Sequence, residues 1–223
     1  MKISSLYTKN HAFPWITMAV TICCLLVTTL FILFPHLYTE LAWSNQPKHF
    51  WQYVSGAFLH GDETGFGMAV AHLVANCLMF IPYAIMIEKL IGHQKFGIVF
   101  LTTWICISIV FQIITHTIIP AGKLAYGNGL SGSSFAVTIM GAYILFRVFS
   151  LNKKYFFRQP LGYIFISGLL GELISLHPGV AGIHSMMIHL AGIALGILLV
   201  LIYKKSIDSA ITALENTSAI DAL

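Results

Sequence analysis

The sequence predicts an all-α, polytopic membrane protein: a bundle of six transmembrane helices. Two observations set that class. Of 223 residues, 57% are hydrophobic and only 9% are charged, against about 25% charged in soluble domains. Too few charges remain to cover a water-facing surface. The charges also fall between long apolar runs rather than along one face, so the net charge of +4 does not point to nucleic acid.

A helix needs about 20 apolar residues to cross the hydrocarbon core. Six runs meet that length, roughly 14–36, 68–88, 96–119, 130–149, 160–177 and 182–203. The first is too long for a signal core of roughly 7–15 residues and offers no small-residue cleavage site, so it is read as a retained helix. Glu172 and His177 interrupt the fifth run. Residues 37–67 form a long loop whose aromatics ("FWQYVSGAFLH") suit the membrane interface. The division is then a segment 1–13, a membrane domain 14–203 and a short polar tail 204–223, with no internal repeat.

Orientation follows from the basic residues. With six spans both termini share a side. That side holds Lys2, Lys9, Lys89, Lys95, Arg147, Lys153, Lys154, Arg158, Lys204 and Lys205, and the other holds only Lys48 and Lys123. Both termini are therefore expected in the cytoplasm of a multi-pass cell-membrane protein. Spans 2, 4 and 6 then enter from outside, N-terminus first. His72 and Asn76 on span 2, Ser131 on span 4, and His184 and His189 on span 6 share one depth.

Polar side chains at that depth are costly, and an ionisable one is a functional candidate. Several chemistries drop out. Asp62, Asp208 and Asp221 lie in loops or the tail, so a pair of membrane aspartates is lacking. The zinc-protease pattern H-E-x-x-H is absent. His184 and His189 are about 140° apart around a helix, so they do not share a face for a metal. The cysteines Cys23, Cys24, Cys77 and Cys106 form no C-x-x-C pair and suggest neither disulfide framework nor zinc. No cofactor is expected.

A serine activated by a histidine remains. Ser131 opens a helix where free N–H groups and the positive dipole end favour an oxyanion. Gly129 and Gly132 allow a tight turn around it. Ser131, Ser134, Thr138 and Gly141 lie on one stripe of span 4, and Ser185, His189, Gly192 and Gly196 on one stripe of span 6. Small faces let membrane helices approach closely, which would bring His189 to Ser131 as a dyad. His72 and Asn76, four residues apart, share a face and offer donors to an oxyanion. Bland readings stand beside these: small stripes for packing alone, Ser131 as a helix cap, His72 and Asn76 as a structural pair.

The ordered motifs resemble the rhomboid family of intramembrane serine proteases. "GLSG" (129–132) is similar to its G-x-S-G, "HLVAN" (72–76) to its H-x-x-x-N, and "HLAGIALG" (189–196) to its H-x-x-G-x-x-x-G. "WQYVSGAFLH" (51–60) resembles its first loop and "IEKLIG" (87–92) the end of its second span. The resemblance covers residues 14–203. It implies Ser131 as nucleophile and His189 as base, and an oxyanion hole of His72, Asn76 and the Ser131 N–H. Gly129, Gly132, Phe135, Gly192 and Gly196 would support them. The implied substrates are single-pass membrane proteins cut near the outer end of their helix, with the lipid bilayer as the other partner.

The chain departs from the family pattern in places. Gln52 follows Trp51 where the family often has arginine, which removes a charge and predicts a looser loop. Phe135 stands where many members have tyrosine; it can stack on the histidine but has no hydroxyl. An eleven-residue stretch, "GDETGFGMAVA", separates His60 from His72 and leaves the entry to span 2, and the role of His60, undefined. His184 and Glu172 match no family role; Glu172 reads as a polar contact inside the bundle. Two other functions stay open: a catalytically silent binder of membrane proteins, and a proton-linked transporter using Glu172 and the histidines.

Overall fold

The computed structural model describes residues 6, 13–61, 66–149, 163, 166 and 180–220. Among them, five helices are long and apolar enough to cross a membrane. They are α1 (Trp15–Leu33), α4 (Phe66–Ile91), α5 (His93–Ile118), α6 (Ser131–Val148) and α7 (Val180–Ile220). The fifth run of the sequence, 160–177 with Glu172, lies outside the described residues but for Tyr163 and Ile166. The bundle is a helical multi-pass membrane protein. The outer faces of α1, α5 and α7 expose Leu26, Ile105 and Leu201, among others, as lipid-facing helices should.

Chain chemistry sets the helix ends. Pro35, which cannot continue an α-helix, follows α1. Gly92, at φ +88°, separates α4 from α5. A side chain there would be strained, so a glycine makes the reversal. Pro82 sits inside α4, which runs longer at both ends than the 68–88 run suggested.

The region 37–67 is less irregular than expected. After a 3₁₀ turn it holds α2 (Tyr38–Leu41), β1 (Trp43–Ser44) and α3 (Gln52–Ser55). β1 pairs antiparallel with β2 (Tyr126–Gly127), Trp43 opposite Gly127. This strand pairing is absent from the all-α expectation.

The looser loop predicted at Gln52 is not found. Gln52 is buried. Its Nε2 donates to the carbonyls of Thr39 and Ala42, 3.0 and 2.9 Å, and its Oε1 accepts the N–H groups of Lys48 and His49, 2.7 and 3.0 Å. Four hydrogen bonds, not a charge, tie the segment together.

α6 is the most enclosed of the five long helices. It packs on α7 at backbone distance: a Cβ on Gly192 would lie 2.2 Å from the Gly132 carbonyl oxygen, and one on Gly196 would lie 2.7 Å from that of Ala136. Small residues make this approach possible. Ser131 meets His189 near one end of the pair, and Arg147 meets Asp208 near the other, so α6 and α7 run parallel. α4 runs with them: Gly129, just before α6, abuts His72 and Gly141 abuts Tyr83. The starts of α4, α6 and α7 thus share one end of the bundle. α7 does not stop at 203. The stretch read as a polar tail continues the helix and buries Ile207 and Ile211.

Candidate active site

The site grows from the Asn128–Ser131 turn. Gly129 adopts φ +105°, which L side chains avoid, and its N–H donates to the Gly56 carbonyl, 2.9 Å. The Asn128 Nδ2 donates to the Gly61 carbonyl and to the Tyr38 hydroxyl, 2.6 and 3.0 Å. Ser131 is the first residue of α6 and makes no capping bond; the first helical bond runs from the Ser134 N–H to the Leu130 carbonyl, 2.8 Å. The cap reading therefore fails for Ser131. Its N–H has no acceptor inside the helix, as for every first-turn residue.

Ser131 Oγ lies 2.7 Å from His189 Nε2, across 58 residues of sequence. The Phe135 ring lies against the imidazole, centroids 4.8 Å apart and planes at 35°. The two neighbouring serines are elsewhere: Ser133 and Ser134 are buried. Gly132, Gly192 and Gly196 are the close-packing positions of the two helices, and Gly129 gives the turn its handedness.

His72 lies on the other flank of the turn. A Cβ on Gly129 would stand 3.0 Å from both its Cε1 and Nε2. Its Nδ1 accepts the Gly61 N–H, 3.3 Å. An amide can only donate, so Nδ1 is the bare nitrogen and Nε2, beside Gly129, carries the hydrogen. Asn76 is buried; its Nδ2 donates to the His72 carbonyl, 3.1 Å, and its Oδ1 has no partner among the described residues.

His60 has a clear position. It is fully buried, and its Nδ1–H donates to the Phe58 carbonyl, 3.1 Å. That leaves Nε2 to accept the Leu130 N–H, 3.4 Å, one residue before Ser131. Burial pushes the His60 imidazole down to about 3, and the nearby His72 ring adds to the shift.

A cavity of about 430 Å³ opens beside Ser131 and His189. Trp43, Phe111, Ile119 and Ile188 line it, and Asn128, His184 and Ser185 add polar atoms. His184 and His189, though 140° apart on α7 by helix geometry, both border it. His72 and Asn76 do not; they approach the turn from α4. Among the described residues no three His, Cys, Asp or Glu side chains gather as for a metal.

One buried acid was given no role by the sequence reading. Glu88, at the far end of α4, is fully buried and accepts the N–H groups of Ile16 and Thr17, 2.9 and 2.8 Å, and the Thr17 hydroxyl, 2.6 Å. It caps the start of α1 from another helix. Its sequence signals were its place in "IEKLIG" and an acid at the end of an apolar run.

These features define a multi-pass helical membrane protein with a serine and a histidine in contact beside a cavity. A family model for the rhomboid domain matches residues 47–206, well over half of the 223-residue chain. The chain belongs to the rhomboid family. It matches none of the curated proteins compared with it.

Proposed function

We propose that the protein is an intramembrane serine protease that hydrolyses a peptide bond of transmembrane substrates by a Ser131–His189 dyad. The 2.7 Å contact between Ser131 Oγ and His189 Nε2 carries the reading. At that distance a histidine accepts the serine proton as the hydroxyl attacks the scissile carbonyl, and returns it to the leaving amine. His189 then holds its own hydrogen on Nδ1. The Phe135 ring restricts the imidazole to one orientation.

The developing oxyanion is stabilised by the Ser131 N–H, by the His72 Nε2–H and by an amide hydrogen of Asn76. The His72 tautomer favours this role, because the Gly61 N–H leaves His72 its donor on the Gly129 side. Water needed for deacylation enters through the cavity, since dry hydrocarbon supplies none. The bias of basic residues supports cytoplasmic termini; on that orientation the cut falls near the outer end of the substrate helix and releases a fragment outward.

The test is cleavage of a model single-pass substrate by purified protein in liposomes. Ser131→Ala and His189→Ala both abolish cleavage and remain folded, because members of a catalytic unit are non-additive. A fluorophosphonate labels the wild type on the peptide that contains Ser131. Wild-type turnover by Ser131→Ala would overturn the assignment. A stably folded wild type that binds substrate helices without cutting them or taking the probe would instead be a silent binder.

A further inference from the structure

We propose that His184 is a specificity-determining residue: its Nδ1 selects a neutral hydrogen-bond-donating side chain, a hydroxyl or a carboxamide, at one substrate position beside the scissile bond. The proposal rests on the protease reading above and adds to it the chemistry of the residue preferred next to the cut.

Hydrogen counting makes the argument. Thr115 has one hydroxyl hydrogen, and it donates this to the Phe111 carbonyl one turn earlier in α5. The 2.8 Å contact between Thr115 Oγ1 and His184 Nε2 therefore needs its hydrogen from the ring. Nε2 carries it, and in a neutral imidazole the other nitrogen is then a bare acceptor. The ring's hydrogen also reaches the Phe111 carbonyl; with Nε2 as its carrier, Nδ1 is left as the acceptor. The Thr115 bond and the Phe111 ring, edge-on at a centroid distance of 5.1 Å, hold the imidazole in place. A fixed acceptor in a partly apolar wall goes unsatisfied unless the occupant brings a donor, and burying it unsatisfied is unfavourable.

The cavity supplies the remaining discrimination. It borders Ser131 and His189 as well as His184, so its occupant sits next to the reacting atoms. Its volume of about 430 Å³ is that of a small-ligand pocket. None of the described residues lining it is Asp, Glu, Lys or Arg, so a charged side chain finds no counter-ion among them. A carboxylate also sets its own lone pairs against Nδ1. Threonine, serine, asparagine and glutamine fit; valine and leucine fill the space but leave the acceptor unpaired.

The test uses the full-length protein in liposomes and substrates that differ as isosteres. Each position flanking the scissile bond, itself located by mass spectrometry, carries threonine or valine, asparagine or leucine, and aspartate. At one position the wild type prefers threonine over valine by about five- to tenfold in kcat/KM, the effect of one net hydrogen bond, and disfavours aspartate. In His184→Phe that ratio falls to about one. In Thr115→Val, which frees the ring but keeps Nδ1, it falls about two- to threefold. Because both substrates meet the same enzyme preparation, damage to folding lowers both rates and leaves the ratio untouched. If His184→Phe does not accumulate, the wild-type ratio and Thr115→Val still decide. The proposal is overturned by a wild type without a threonine preference at any position, by an unchanged ratio in His184→Phe, or by a preference for aspartate that His184→Phe removes, since that marks a cationic ring. Cleavage that is Ser131-dependent but unselective sinks only this inference, whereas no Ser131-dependent cleavage of any substrate sinks the protease reading with it.

Discussion

The two ends of the bundle use polar residues in opposite ways. At the Ser131 end the buried polar side chains are neutral: serine, asparagine, threonine and histidine. Backbone groups hold many of them, and some keep a donor or acceptor besides: His184 Nδ1 and an amide hydrogen of Asn76. At the far end the groups are charged and committed. Glu88 takes three donors from α1 and a fourth contact from His93 Nδ1 at 2.7 Å. Asp208 takes the Tyr143 hydroxyl, Arg147 Nε and the Lys204 ammonium. Groups that meet a transient charge act as preorganised donors. Groups that only join helices are saturated. Substitutions at the first end should therefore cost turnover with little loss of stability, and at the second stability with little loss of turnover.

The sharpest break in that comparison is His72→Ala. It removes one preorganised donor and leaves the Ser131 N–H in place. Turnover should fall by roughly 10²-fold or more, at the lower end of what such donors supply elsewhere, with KM and the thermal midpoint little changed. Steady-state kinetics and thermal unfolding in one detergent check both halves. A fall in stability with unchanged turnover would return His72 to a structural role.

Glu88→Gln tests the other end. The amide keeps one acceptor but turns a donor towards N–H groups that also donate. Loss of these buried bonds should cost about 1–3 kcal/mol, read as a lower midpoint. Turnover per folded molecule should remain near wild type. A turnover loss larger than the stability loss would show that the two ends are coupled.

What the sequence reveals divides along the same line. Apolar run length located α1, α4, α5, α6 and α7 to within a few residues apart from the overrun of α7, because bilayer thickness imposes that length. The Ser131–His189 contact was legible only in part: the span 6 stripe of His189, Gly192 and Gly196 does pack on α6, but against Gly132 and Ala136, whereas Thr138 and Gly141 of the expected span 4 stripe face α4. The role of Glu88 was not legible, because its partners Ile16 and Thr17 lie about 70 residues away and a cap between helices leaves no local signature. Two-residue strands such as β1 and β2 have no periodicity to read. Gln52 looked like a lost charge because a residue type does not show how many backbone groups surround it. The α7 extension was in principle visible: Ile207, Ile211 and Leu214 recur at helical spacing, beneath a polar average.

The smallest effect concerns pH and His60. Its imidazole is held near 3 by burial, against about 6.5 in an unfolded chain. Between those values the unfolded state binds the additional proton. Stability therefore rises with pH through that window and is lost as pH falls from about 6.5. His60→Gln keeps an acceptor but does not titrate, so its thermal midpoint should depend less on pH between about 4.5 and 7 than that of the wild type. Groups away from the substitution, such as Glu40, whose carboxyl Lys48 holds below its ordinary range, contribute alike in both proteins and cancel in the difference. Equal slopes in the two proteins would mean that His60 does not hold the turn as a neutral ring. A flatter slope with turnover retained at pH 7 would make it a structural tie of the turn, next to the reacting atoms without being one of them.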